Sequence, residues 1–198
     1  MNIVVLKYNA GNIQSVLFAL ERIGINGIVS DDPAVLRQAD KVIFPGVGEA
    51  SSAMAYLRER NLDELLLSLK QPVLGICLGM QLMCEHSEEN DTPCLGIFEN
   101  VNVKKFNPGE DRAFKVPQVG WNQVNNLKGP LFNGIVESTN CYYVHGYYAG
   151  ICDRTIATTD YFLPYSAAIQ RDNFFGVQFH PEKSADAGER LLRNFINL

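Results

Sequence analysis

Cys77 stands between two glycines in PVLGICLGMQL (residues 72–82), where a short apolar run passes into a helical one. A free cysteine is usually a small core hydrophobe. Here Gly75-Ile-Cys77-Leu-Gly79 has the Gly-x-nucleophile-x-Gly spacing of a strand-to-helix elbow. Such a turn holds its central residue in a sparsely populated backbone conformation, and small neighbours leave room for it. A side chain so placed also meets a helix N-terminus, whose dipole favours an anionic nucleophile. The chemistry implied is attack of sulfur on a carbonyl, which requires a base and donors for the developing oxyanion.

His180 is the best candidate for that base. FFGVQFHPE (residues 174–182) is a β-rich run ending in His-Pro-Glu, and residues two apart in an extended segment point to the same side. Glu182 can therefore reach the imidazole, fix its tautomer and stabilise the imidazolium that forms when His180 takes the thiol proton. Pro181 restricts its own φ and biases His180 towards extended backbone. A lone His-x-Glu would read as a surface ion pair; beside an elbow cysteine it reads as base and orienter. His145, in YYVHGYY, is the rival base, but it lies in an aromatic strand with no carboxylate nearby, which favours packing in a core or an interface. His86 follows the elbow helix in an acidic loop, EHSEEND, where a solvated role is expected. For the oxyanion, Gly46, Val47 and Gly48 of PGVG follow a strand and precede a helix. Two glycines let backbone N–H groups turn towards a ligand, although the motif alone fits an ordinary loop equally well.

The elements that must position these groups alternate in the first half. Strands are expected at IVVL (3–6), GIVS (27–30), KVIF (41–44) and PVLGI (72–76). Between them, Ile13, Val16, Leu17, Leu20 and Ile23 follow helical spacing after Asn12 as a cap, and helices are expected over about 49–60 and 62–69. This order predicts a parallel sheet with both faces covered, and ligands of such sheets gather at the carboxyl ends of the strands, where Cys77 lies. The second half is different: FENVNVKKF, VPQVGWNQV, CYYVHGYYA, TIATTD, YSAAIQ and FFGVQF are short, β-rich and separated by turns, as antiparallel strands would be. A final helix is expected over about 185–197. The fold class is α/β, with a mixed, largely parallel central sheet flanked by helices and an antiparallel portion. One domain over residues 1–198 is the expected organisation.

Composition narrows the function classes. Hydrophobic content is 46%, charged content 20% and net charge −5, with Lys and Arg scattered rather than clustered, which argues against a nucleic-acid binder because phosphate neutralisation needs a basic face. No apolar run approaches the roughly 18 residues needed to cross a bilayer, and the N-terminus does not read as a signal peptide. Five cysteines without a Cys-x-x-Cys pair fit neither a disulfide framework nor a zinc site. The three histidines are far apart, so no metal is expected, and a reducing cytoplasm is the simplest home. NAGN lacks the Gly-x-Gly-x-x-Gly spacing of a dinucleotide loop.

With PGVG, GICLGMQ and HPE in this order, the chain resembles the class I (triad) glutamine amidotransferases. YNAGNIQSV, GWN, YYVHGYY and GVQFHPEKS extend the likeness along its whole length to the glutaminase subunits of imidazole glycerol phosphate synthases. The resemblance implies hydrolysis of L-glutamine to glutamate and ammonia, with Cys77 forming a γ-glutamyl thioester, His180 as general acid/base and Glu182 orienting it. It implies that Gly46, Val47 and Gly48 form an oxyanion loop to which Leu78 contributes its backbone. It also implies that Gln81 and the backbone at Gly146 and Tyr147 bind substrate, with Gly146 in place of the Ser or Thr often found there. No cofactor is implied. The partner implied is a (β/α)8-barrel cyclase subunit that receives the ammonia, forms imidazole glycerol phosphate and the purine precursor AICAR for histidine biosynthesis, and activates the glutaminase when its own site is occupied. Asn12, Trp121, Asn122, Tyr142 and Lys183 match positions at that interface; Trp121 on its own residue type would equally suit a core. A subunit feeding ammonia to another synthase, a stand-alone cysteine hydrolase and a non-catalytic scaffold are the competing readings.

Overall fold

The computed structural model describes residues 1–9, 11–109 and 115–198; Ala10, in the NAGN stretch, lies outside the described residues. The first half runs β1 (Ile3–Leu6), α1 (Ile13–Arg22), β2 (Ile28–Ser30), α2 (Pro33–Arg37), β3 (Lys41–Phe44), α3 (Ala50–Glu59), α4 (Leu62–Ser68), β4 (Val73–Ile76) and α5 (Leu78–Met83). The second half runs β5 (Cys84–Ser87), β6 (Thr92–Pro93), β7 (Phe98–Lys105), β8 (Gln118–Val124), β9 (Thr139–His145), β10 (Tyr147–Ala149), β11 (Thr155–Tyr161), β12 (Leu163–Arg171), β13 (Phe174–Val177) and α6 (Ala185–Ile196). Short 3-10 turns occupy Pro130–Phe132 and Pro181–Lys183.

A seven-stranded sheet in the order β11-β12-β13-β4-β3-β1-β2 forms the centre. From β13 to β2 neighbouring strands are parallel, while β11 and β12 close the far edge antiparallel. The sheet is mixed and largely parallel, as the order of elements predicted. Its central strands are apolar apart from Lys41 at the start of β3, because each face is covered. Val4, Leu6, Val42, Phe44 and Val73 pack into one core beneath α2 to α5, and Ile3, Val5, Ile43, Leu74 and Ile76 into the other with residues of α1 and α6. A strand alternates its side chains between faces, so two cores demand apolar residues at every position.

Four local expectations are corrected. FFGVQF is not a purely antiparallel strand: β13 pairs antiparallel with β12 on one side and parallel with β4 on the other. CYYVHGYYA divides at Gly146, with β9 pairing with β8 and β10 with β7. The acidic segment after the elbow helix begins as strand β5, which runs parallel to β7. Asn12 occupies the N-cap of α1, but its side chain caps no backbone N–H and instead accepts a hydrogen bond from Ser15 Oγ at 2.7 Å.

Candidate active site

Cys77 sits between β4 and α5 with φ 53° and ψ −109°, the strained elbow the flanking glycines predict. α5 must double back against β3 immediately after the turn. Any side chain at Gly79 would strike the Phe44 carbonyl oxygen, so only glycine permits that approach.

The register of β4 with β13 brings the distant half of the site to this point. Ile76 lies opposite Val177, the Cys77 N–H donates to the Val177 carbonyl at 2.8 Å, and the chain then continues through Gln178 and Phe179 to His180. The His180 N–H donates to the Tyr142 carbonyl at 2.8 Å, pinning it to β9. His180 is extended (φ −99°, ψ 97°), as Pro181 requires, but the next three residues form a 3-10 turn. That turn, rather than continued extension, carries Glu182 back to the ring, where Oε1 lies 2.7 Å from Nδ1. Both side chains are buried. A carboxylate only accepts, so Nδ1 carries the proton and Nε2 is the nitrogen left for chemistry. Nε2 has no hydrogen-bond partner among the described residues. Burial disfavours the imidazolium, but Cys77 and Glu182 outweigh it and raise the His180 pKa to about 10. The sulfur and the imidazole therefore share one buried electrostatic environment.

Three further groups brace the turn. Ser184 Oγ donates to the His180 carbonyl at 2.6 Å and accepts from the Tyr142 N–H at 2.9 Å. Arg22 Nη2 donates to the Glu182 carbonyl at 3.3 Å. On α6, a side chain at Gly188 would collide with the Pro181 carbonyl, so the helix packs directly on the turn.

A cavity of about 280 Å³ opens at Cys77 and is lined by Val47, Gly48, Leu78, Gln81, Gly146 and Tyr147, all expected in substrate binding. Gly46 lies behind it, and its carbonyl accepts the Leu78 N–H at 3.3 Å. The Leu78 N–H, one of the groups expected to meet the oxyanion, is thus engaged by the loop itself. Tyr8 Oη donates to the Pro45 carbonyl at 2.7 Å and holds the start of that loop. Residue-by-residue reading did not find Glu89, which also lines the cavity and accepts from the Ala50 N–H at 2.8 Å. Its pKa is raised, chiefly by burial. Nothing in its local sequence distinguishes it from the neighbouring acids.

His145 is buried, not a base at the sulfur. Its Nδ1 donates to the Tyr147 carbonyl at 2.6 Å, and Nε2 lies 3.1 Å from the Gln118 amide oxygen and 3.2 Å from the Tyr165 hydroxyl. Burial lowers its pKa to about 4 despite the bond to Tyr147, and His180 adds to the lowering. His86 is partly exposed and contacts Asp91 at 2.8 Å. Among the described residues no group of His, Cys, Asp or Glu is arranged to hold a metal ion.

Of the residues expected at a partner interface, three come together. Trp121 is 54% exposed, not a core residue, and meets Tyr142 edge-on at 5.8 Å between ring centroids. Lys183 Nζ lies 5.8 Å from the Tyr142 ring. Asn122 turns to the other side of β8 and donates to the Asp160 carbonyl at 2.9 Å, while Asn12 stays at the start of α1.

A thiol on a strand-to-helix elbow, a buried His–Glu pair brought beside it by strand register and a glycine loop on the same cavity are the parts a cysteine hydrolase would need. Residues 10–198 match the class-I glutamine amidotransferase family model, and the chain belongs to that family. It is 53% identical to the imidazole glycerol phosphate synthase subunit HisH of Bacteroides thetaiotaomicron and 48% identical to that of Yersinia pseudotuberculosis, over 100% of both chains in each case. The fold is shared with the crystal structure of a putative GMP synthase protein from Thermoplasma acidophilum (TM-score 0.75, 18% identity, 100% of this chain and 93% of that one). A crystal structure described as a glutamine amidotransferase has a TM-score of 0.74 at 18% identity, covering 98% of this chain and 97% of the other.

Proposed function

We propose that this chain is the glutaminase subunit of imidazole glycerol phosphate synthase, residues 1–198 acting as one glutamine amidotransferase domain. With its proton held on His180 Nε2, Cys77 attacks the side-chain carbonyl of L-glutamine as the thiolate. The tetrahedral intermediate collapses with cleavage of the C–N bond, and His180 returns the proton to the departing ammonia. Water, deprotonated by His180, then attacks the γ-glutamyl thioester, and glutamate leaves as the sulfur is released. Glu182 holds the ring with Nε2 towards the reaction. Glu89, the carboxylate of the cavity wall, supplies a counter-charge for the substrate's α-ammonium group; Gln81 and the backbone of Gly146 and Tyr147 hold the same end.

The ammonia passes to a (β/α)8-barrel cyclase subunit in a cytoplasmic heterodimer that makes imidazole glycerol phosphate and AICAR in histidine biosynthesis. The ribbon β8–β9 supports this docking. Its cross-strand pairs Val119–Val144 and Trp121–Tyr142 share one face, Val119 and Trp121 are more than half exposed, and Val144 also borders the cavity. A partner seated there covers the mouth and receives ammonia without release to water. The observation that carries the reading is the β4–β13 register, which aligns Cys77 with the His180–Glu182 pair in a chain 53% identical to a HisH subunit. The test is Cys77→Ala in the assembled complex: glutamine-dependent synthesis should vanish while synthesis from added ammonium salt persists. Glutamine-dependent synthesis at the wild-type rate would overturn the thioester mechanism.

A further inference from the structure

Gln178 is completely buried, and the mechanism as derived assigns it no part. It lies two residues before His180, on the stretch that β13 sends past Cys77. Its Nε2 is 3.6 Å from Cys77 Sγ, within the longer range of a hydrogen bond to sulfur. Its Oε1 accepts from Gln81 Nε2 at 2.9 Å, and that nitrogen also donates to the Tyr147 carbonyl at 2.9 Å.

The direction of each bond in this chain is fixed from one end. A backbone carbonyl only accepts, so the Gln81 atom facing Tyr147 must be its amide nitrogen. The second hydrogen of that nitrogen needs an acceptor, so the Gln178 atom beside it must be the amide oxygen. The Gln178 nitrogen is thereby turned to the sulfur, and a flip of either amide would set donor against donor or acceptor against acceptor. His145 Nδ1 donates to the same Tyr147 carbonyl and secures the anchor. On its other side Cys77 Sγ lies 3.7 Å from the Val144 carbonyl, an acceptor for a thiol hydrogen. Sulfur thus has an acceptor suited to the thiol and a locked donor suited to the thiolate.

We propose that Gln178 is a further catalytic residue, whose amide N–H stabilises the Cys77 thiolate both when it attacks and when it departs from the thioester, with Gln81 as the positioning residue that locks the amide in that sense. The proposal rests on the reading of Cys77 as nucleophile. It gives Gln81 a second task on the side away from substrate. It also explains why a fully buried glutamine stands where the strand's alternation brings a side chain to the cavity end of the sheet: an apolar residue would fill the space but leave the anion without a donor.

The experiment measures iodoacetamide alkylation at Cys77, resolved from the other four cysteines by peptide mass spectrometry, across pH 6–10 on the assembled complex. Gln178→Met keeps the length without the amide, and Gln178→Glu keeps the shape with an acidic group. Loss of one charge-assisted donor predicts an alkylation rate about tenfold lower at neutral pH in the Met variant, converging on wild type at the alkaline end, and a larger deficit in the Glu variant. Gln81→Leu, which frees the Gln178 amide to turn, should show a smaller deficit in the same direction. A purely packing role would change the rate equally at all pH values or not at all, and either result in the Met and Glu variants overturns the proposal. Should one variant fail to fold, the other decides alone. Retention of glutaminase by Cys77→Ala would instead sink the nucleophile reading, whatever the alkylation profile of the Gln178 variants.

Discussion

Replacing Glu182 by Gln removes a charge without removing an acceptor, which makes its effect calculable. In the native site the carboxylate accepts the Nδ1 proton across 2.7 Å with both side chains buried. An amide oxygen can occupy the same point, so the tautomer survives. What is lost is the extra strength of a charge-assisted bond when the imidazolium forms. Bonds to charged groups contribute about 1.5–3 kcal/mol and are roughly twice as strong as neutral ones, so the transition state loses about 1–2 kcal/mol. At about 1.4 kcal/mol per decade that is a fall of about 5–30-fold in kcat. His180→Ala removes the proton acceptor itself and should cost about 10²–10⁴-fold. The assay is glutamate release by the complex with the cyclase substrate present, beside ammonium-dependent synthesis as a check on assembly. A Glu182→Gln enzyme at the wild-type rate, or slower than His180→Ala, refutes the assignment of orienter and base.

The same substitution has a pH signature. The His180 pKa is raised above its ordinary 6.5, to about 10. Its stabilising contribution is therefore complete below about pH 6.5 and is lost as pH rises through about 10. Glu182 is one of the groups raising it, so the wild type should be the more stable protein at neutral pH. The difference in melting temperature between wild type and Glu182→Gln should shrink towards pH 10, and a difference that grows with pH contradicts the reasoning.

His145 carries the opposite sign: its pKa is lowered from 6.5 to about 4, so the unfolded chain binds a proton that the fold excludes and stability falls as pH drops from about 6.5 to 4, by about 3 kcal/mol in all. His145→Gln should flatten that part of the acid limb in melting temperature; an unchanged slope relative to wild type rejects it. Glu89→Gln keeps the bond to the Ala50 N–H but removes the cavity's counter-charge, so KM for glutamine should rise about tenfold with a smaller change in kcat; an unchanged KM removes Glu89 from substrate binding. Trp121→Asp puts a charge on the exposed face of the β8–β9 ribbon and should weaken complex formation by at least about 2 kcal/mol, read by titration calorimetry, without altering the melting of the isolated chain; native affinity excludes the ribbon as the docking face.

The legible parts of this molecule are those whose causes are local. Two covered faces make β1, β3 and β4 almost wholly apolar, with Lys41 at the start of β3 the exception, and an elbow needs small residues around its nucleophile, so strands and Cys77 can be found from short windows. Pro181 likewise acts on its neighbour and sets His180 extended. The pairing of β13 is not local: FFGV is equally good as an antiparallel or a parallel strand, and only its insertion between β12 and β4 decides. For the same reason β10 separates from β9, since Tyr147–Ala149 pairs with β7 in a different sheet from the β8–β9 ribbon. Gln178 was within reach, because the alternation that ties residues two apart to one side applies to 178 and 180 as well. Glu89 was not, because its distinction from Glu85 or Glu88 comes from the cavity and the Ala50 N–H, neither of which its neighbours encode.

The bond from Leu78 N–H to Gly46 O limits what the loop, as it stands, can offer a reacting carbonyl. A donor engaged by the loop's own carbonyl cannot also receive an oxyanion, so the peptides of Gly46 to Gly48 must reorient before Leu78 can act. Upstream, Tyr8 fixes the Pro45 carbonyl; downstream, Glu49 caps α3 through the N–H groups of Ser51 and Ser52. The movement is therefore confined between two anchored ends, where Gly48 already has φ 118° and Val47 is 40% exposed on the cavity rim. The bond to be broken is long, at 3.3 Å, and worth about 1 kcal/mol. A partner that favours the reoriented loop by this amount changes the fraction of competent sites only about fivefold. Any activation by a partner well beyond one decade must draw on more than that single bond, and the proposed docking face reaches a second group through Tyr142, whose carbonyl accepts the His180 N–H and so bears on how that ring is aligned with Cys77.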